Sequence, residues 1–76
     1  MSFYDWCIKQ YTGKNNPAGD LAGDMSRDLE FPKVSDDKKT IERYLHLKHA
    51  CDDAVRTFRN VFRMYQIEVR HVRATD

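Results

Sequence analysis

The sequence predicts an all-α fold, a compact bundle of four to five helices. Apolar residues recur at intervals of three and four along most of the chain, the spacing that places them on one side of a helix. Capping residues and prolines stand where such segments begin. A chain of 76 residues suits one small domain, so residues 1–76 are expected to form a single unit with a frayed end at about 73–76.

Composition favours a folded chain over a disordered one. Hydrophobic residues make up 41% of the sequence and aromatic residues 12%, although 33% of the residues are charged. No apolar run approaches the roughly 20 residues of a membrane span, and the N-terminus lacks the pattern of a secretory signal. We therefore expect a cytoplasmic protein without a membrane partner.

The two cysteines, Cys7 and Cys51, form neither a CxxC pair nor a dense framework. Each has apolar or aromatic neighbours at helical spacing, which is typical of buried thiols. Because disulfides are rare inside cells, two buried free thiols are expected, with a disulfide as the alternative.

The first helix is predicted from about Phe3 to Tyr11. Ser2 can accept a hydrogen bond from a first-turn amide, and Asp5 adds negative charge near the positive end of the helix. Apolar residues fill more than one narrow stripe of this segment, so the helix is expected to be contacted on two sides.

The second helix is predicted to begin at Asn16-Pro17, an N-cap followed by proline at the first helical position. Leu21 and Met25 lie four residues apart and face the core. Pro32 disfavours helical dihedral angles at the residue before it, so the helix should end near 28–30. Phe31 is then free to turn into the core from the connecting segment.

The third helix is predicted over about 36–47, with Ser35 as the N-cap and Asp36 and Asp37 in the first turn. Ile41 and Leu45 lie on its apolar side. The apolar phase changes near 48–50, which indicates a break there.

The last segment has the most regular apolar pattern, and Asp52-Asp53 suit its start. Its apolar residues fall within an arc of roughly 120° when each residue advances about 100°. Fewer than four heptads and several aromatic residues in the seam favour packing in a globular core over a coiled coil. The arc comprises Cys51, Ala54, Val55, Phe58, Val61, Phe62, Tyr65, Val69 and Val72.

Ten residues from all four segments are predicted to supply most of the core. They are Phe3, Trp6, Leu21, Met25, Phe31, Ile41, Leu45, Phe58, Val61 and Phe62.

Three stretches resemble one known family. "SFYDWCIKQY" near the start, "FPK" followed by "IERYL", and "AVRTFRNVFRMYQIEV" near the end together resemble the bacterial YozE family of sterile-alpha-motif-like proteins. The likeness spans about residues 2–69. It implies a compact helical bundle of the sterile alpha motif type and no established enzymatic role.

No arrangement of residues predicts a catalytic, cofactor or metal site. His46 and His49 lie three residues apart and close to Cys51, but no second ligand pair has a zinc-like spacing. Cys7 could act as a nucleophile only with a base and an orienting residue, and the sequence identifies no such set. The glycines lack the spacing of a phosphate-binding loop.

Charge is distributed unevenly between the two halves of the chain. Residues 1–37 hold four basic and seven acidic residues, and residues 38–76 hold nine basic and five acidic residues, giving 4 − 7 = −3 and 9 − 5 = +4. Either the halves attract one another across the fold, or a basic face meets an external acidic partner.

Arginines of the last helix form the one candidate binding feature, a stripe beside the apolar face. Three interpretations stand: the arginines are structural or solvated, they contact a protein partner, or they follow the phosphates of a nucleic acid. We predict a non-enzymatic interaction module that binds a protein, with nucleic-acid binding as the alternative. The stripe comprises Arg56, Arg59, Arg63 and Arg70, with Arg73 less securely placed and Gln66 as an added polar contact.

Overall fold

The computed structural model describes the backbone of residues 1–75 and the side chains of residues 1–69. Within this part of the chain there are four helices and no strand: α1 (Phe3–Tyr11), α2 (Pro17–Arg27), α3 (Lys38–Leu47) and α4 (Asp52–Thr75). The predicted all-α fold is confirmed. The expectation of a frayed end at about 73–76 falls on residues whose side chains lie outside the described part of the chain, and it stays a prediction.

The first two helices begin as the sequence predicts. The Ser2 side chain accepts a hydrogen bond from the amide of Asp5, and the Asn16 side chain accepts one from the amide of Gly19 at 2.7 Å. Gly19 is also required by a close approach, because a Cβ atom at this position would lie 1.9 Å from the carbonyl oxygen of Lys14.

The start of α3 differs from the prediction. Asp37, not Ser35, is the N-cap, and its carboxylate accepts hydrogen bonds from the amide and the hydroxyl of Thr40. Ser35 accepts a hydrogen bond from the amide of Asp37 instead. Asp36 precedes the helix and bonds to the start of α1, so this tertiary contact explains why the helix begins two residues later than expected.

The predicted break between α3 and α4 is confirmed. Helix α3 ends at Leu47, and His49 has a positive φ of 59°, a backbone conformation that no continuous helix contains. Helix α4 begins at Asp52, with Asp53 also in its first turn.

The core lies between α4 and the shorter helices. Helix α1 packs against both α2 and α4, as its broad apolar surface predicts. Phe3 is fully buried, and its ring contacts those of Phe58, Phe62 and Tyr65 with centroids 4.9 to 5.6 Å apart. All ten residues predicted for the core are buried, together with Cys7, Ala22, Val55 and Tyr65.

Cys51 contradicts the expectation of two buried thiols. Both thiols are free, but Cys7 is buried and Cys51 is exposed. Cys51 precedes the first residue of α4, so its side chain does not follow the helical phase on which the prediction rested. Val72, also placed on the apolar arc, lies outside the described side chains.

The connector between α2 and α3, residues 28–37, anchors one side of the bundle, and we call it the Phe-Pro connector. Phe31 is buried, and its ring contacts Tyr4 at 5.8 Å and Tyr44 at 5.6 Å between centroids. The Tyr44 hydroxyl donates a hydrogen bond to Asp28, the C-cap residue that follows α2. The connector is therefore held by an apolar anchor and a polar contact to α3.

Three hydrogen bonds link α1, α4 and the segment before α3. The Phe3 amide donates a hydrogen bond to Asp36 at 2.9 Å, and the Tyr65 hydroxyl donates to the same carboxylate oxygen at 2.9 Å. The Trp6 indole donates a hydrogen bond to Glu68 at 2.6 Å. These contacts fix α4 against the start of α1.

Candidate interaction surface

The described arginines of the predicted stripe are exposed on α4. Arg56, Arg59 and Arg63 recur at intervals of three and four residues, so they lie on one flank of the helix. The side chains of Arg70 and Arg73 lie outside the described residues, and their part of the predicted stripe stays a prediction.

These arginines do not pair with the acidic N-terminal half in the described part of the chain. Arg59 pairs with Glu42 of α3, and Arg56 lies 3.9 Å from Asp53, one turn earlier in α4. Arg63 forms no ion pair with any described residue. Both acidic partners belong to the C-terminal half, so attraction between the two halves does not account for the stripe.

The described side chains form one ion pair between the halves, and it lies elsewhere. Lys48, at the end of α3, pairs with Glu30 of the Phe-Pro connector. The pKa of Lys48 is raised, first by the hydrogen bond to Glu30 and then by the charge of that carboxylate. This contact supports the connector and does not involve the arginines of α4.

Helix α3 extends the cationic surface, which the sequence analysis missed. Lys39, Arg43 and His46 are exposed and line a shallow depression together with Glu42. Their spacing of four and three residues places them on one side of α3, and this pattern could have identified them. The Glu42–Arg59 contact joins this side of α3 to α4. We call Lys39, Arg43, His46, Arg56, Arg59 and Arg63 the basic face.

The pKa of Glu42 reflects its position beside the basic face. The pKa of its carboxyl is lowered, first by the hydrogen bond from Arg59 and further by the positive charges of Arg59, Lys38 and His46. Glu42 therefore stays ionised where several cations surround it.

Two exposed apolar side chains neighbour the stripe on α4. The exposed fractions of Met64 and Ile67 are 53% and 54%. Ile67 lies four residues after Arg63, and so it is the next residue along that side of the helix. Both apolar residues also border a groove between α1 and α4 that is lined by Trp6, Gln10, Tyr11 and Glu68.

The opposite flank of α4 is acidic. Asp20 and Asp24 of α2 line a depression together with Asp53, where α2 faces the start of α4. Cys51 borders the same depression. Helix α4 thus separates an acidic surface on the α2 side from the basic face on the α3 side.

The residues considered for metal or nucleophilic chemistry do not come together in the described part of the chain. No group of three His, Cys, Asp or Glu side chains there is arranged to hold a metal ion. Burial raises the pKa of the Cys7 thiol to about 12, which disfavours the reactive thiolate at neutral pH. Among the described residues, no helix has the length and apolar character needed to cross a membrane.

The architecture defines a small all-helical protein with segregated surface charge. Its sequence matches the family model described as the YozE SAM-like fold over residues 2–67. The chain therefore belongs to that family, and the resemblance drawn from its sequence is confirmed.

Curated relatives agree with this assignment. Proteins named UPF0346 protein in Streptococcus equi subsp. zooepidemicus, strains MGCS10565 and H70, are each 44% identical to the chain over 45 residues. The matched segment covers 58% of this chain and 63% of each relative's length. No solved structure matches the chain significantly.

Proposed function

We propose that the protein is a non-enzymatic, cytoplasmic interaction module that binds another protein through the arginine stripe of α4. The observation that carries this proposal is the exposure of Arg59 and Arg63 beside Ile67, without neutralisation by the acidic half of the chain. Arginine and methionine are enriched at protein interfaces, where exposed apolar side chains supply the area that is removed from water.

A protein partner fits this surface better than a nucleic acid does. The chain has a formal net charge of only +1, and the acidic depression of Asp20, Asp24 and Asp53 would repel phosphates that passed beyond the basic face. Dedicated nucleic-acid-binding domains usually carry a more basic surface. Met64 and Ile67 also favour apolar side chains in the partner.

The test is a pull-down from native cell extract, with and without nuclease, using the wild type and the Arg59→Glu/Arg63→Glu variant. We expect a defined protein to be retained after nuclease treatment and to be lost with this variant. The matched control is Lys9→Glu/Arg27→Glu, which changes the net charge equally on exposed positions of α1 and α2. This control should retain the partner.

Three results would count against the proposal. Loss of every bound component after nuclease treatment would favour nucleic-acid binding, which should also weaken steeply with salt. Equal binding by the wild type and the stripe variant would assign the arginines a structural or solvating role. Equal loss in both double variants would point to net charge and not to this surface.

A further inference from the structure

The basic face spans two helices and contains one acidic side chain at its junction. The exposed fraction of the Glu42 side chain is 24%, and that of the Arg59 side chain is 55%. Lys39, Arg43 and His46 surround Glu42 on α3, whereas Arg63 continues the positive charge on α4. Glu42 is thus an acidic side chain of the protein itself that lies among the basic residues of this face, where solvent still reaches it.

An external carboxylate can compete for Arg59 at this position. The Arg59 contact with Glu42 uses the Nε atom, and the guanidinium group holds further N–H donors. Exposed ion pairs are weak, so exchange of one carboxylate for another costs little. A partner that also reaches Arg63 and Arg43 would gain contacts that Glu42 alone cannot provide.

We propose that the basic face binds an acidic polypeptide segment. This segment crosses from α4 to α3 and pairs with Arg59 in place of Glu42. This inference rests on the proposed function and names the chemistry of the partner. Carboxylates of the segment pair with Arg59, Arg63 and Arg43, and an interspersed apolar side chain covers Ile67. Glu42 acts as a built-in competitor that lowers the affinity for the segment.

The competitor role predicts a gain of affinity from a single substitution. In Glu42→Gln the amide cannot pair ionically with Arg59, so the incoming segment no longer displaces a carboxylate. We expect binding to tighten about two- to five-fold, the range that follows from removing an exposed ion pair. Arg59→Gln should instead weaken binding.

The control is Glu30→Gln, which makes the same chemical change in another exposed pair between two elements. Glu30 pairs with Lys48, on the connector side of α3, whereas Lys39, Arg43 and His46 line the other side. Both substitutions raise the net charge equally, so an effect of net charge alone would change the affinity by a similar factor in each. Competition at Arg59 predicts a larger gain for Glu42→Gln.

The experiment measures fluorescence anisotropy of a labelled peptide of Glu-Glu-Leu-Asp repeats, with a single-stranded DNA oligonucleotide of equal charge as the second probe. Circular dichroism checks that each variant is folded. We expect the peptide to bind more tightly than the oligonucleotide. The affinity of Glu42→Gln for the peptide should exceed that of the wild type and that of Glu30→Gln.

The outcomes separate the two proposals. Equal gains for Glu42→Gln and Glu30→Gln, or no gain in either, would refute competition at Arg59 while leaving the pull-down result intact. Absence of peptide binding, with a stripe-dependent protein still recovered from extract, would refute the acidic segment and keep the interaction module. Tighter binding of the oligonucleotide, together with nuclease-sensitive retention in extract, would overturn both.

Discussion

Asp36 offers a test of how the fold is held together away from its apolar core. One oxygen of its carboxylate accepts hydrogen bonds from the Phe3 amide and the Tyr65 hydroxyl, each at 2.9 Å. Asp36→Ala removes the acceptor that joins the start of α1 to the segment before α3 and to α4. A hydrogen bond to a charged group contributes roughly 1.5 to 3 kcal/mol, although solvent exposure reduces that value.

We expect Asp36→Ala to lower the free energy of unfolding by about 1 to 3 kcal/mol, a large share of the stability of a small domain. Urea unfolding followed by the fluorescence of the buried Trp6 measures this change. Asp24→Ala is the matched control, because among the described residues Asp24 pairs only with Arg27, one turn away on the surface of α2. Loss of that exposed pair should cost about 0.5 kcal/mol or less.

A double-mutant cycle isolates the contact between Asp36 and Tyr65. If their hydrogen bond stabilises the fold, Asp36→Ala and Tyr65→Phe should be non-additive by about 0.5 kcal/mol or more. The reasoning is wrong if the two effects add fully and Asp36→Ala unfolds at the same urea concentration as Asp24→Ala. In that case the aromatic cluster and the Trp6–Glu68 hydrogen bond would hold α1 in place without Asp36.

Three further predictions address the core, the thiols and the dependence of stability on acidic pH. Phe58→Ala should destabilise the protein by about 3 to 5 kcal/mol because the side chain is fully buried, and a nearly unchanged thermal melt would contradict this. Cys51 should react rapidly with a thiol reagent at neutral pH and Cys7 only after denaturation, while a reducing agent or a chelator leaves the melting temperature unchanged. The hydrogen bond from Tyr44 lowers the pKa of Asp28 in the folded protein. The stabilisation by this hydrogen bond is therefore fully present above the unfolded pKa of about 4, and it is lost as the pH falls through the lower pKa of the folded state. The difference in stability between wild type and Tyr44→Phe should therefore shrink on acidification, and a difference independent of pH would refute this linkage.

Local signals account for most of what the sequence predicts correctly. The caps Ser2 and Asn16 and the break after Leu47 depend on neighbouring residues, and each lies where the pattern places it. Apolar spacing also identified the core, because burial of one helix face follows from the period of the helix. The Phe-Pro connector also follows from a local signal, since proline restricts the residue before it.

Contacts between distant segments explain what the sequence analysis missed. Asp36 and Asp37 have the same side chain, yet Asp37 caps α3 while Asp36 accepts hydrogen bonds from Phe3 and Tyr65, which are distant in sequence. The position of Glu42 beside Arg59 likewise depends on how α3 lies against α4. The spacing of Lys39, Arg43 and His46 could have identified them as one side of α3, but only the packing of α3 against α4 places that side next to the stripe and Glu42 beside Arg59.

The arrangement of α4 separates stability from surface chemistry, which makes the proposed binding tests interpretable. Val61 and Phe62 face the core, whereas Arg59 and Arg63, their neighbours in sequence, are exposed on a different side of the same helix. Substitution of exposed side chains away from caps and buried networks usually changes stability by no more than about 0.5 kcal/mol. Charge reversal at Arg63 should therefore leave the melting temperature nearly unchanged, whereas reversal at Arg59 should also cost its exposed pair with Glu42. Both changes should remove a partner. Loss of binding without loss of stability would assign the effect to the surface of α4 and not to its place in the fold.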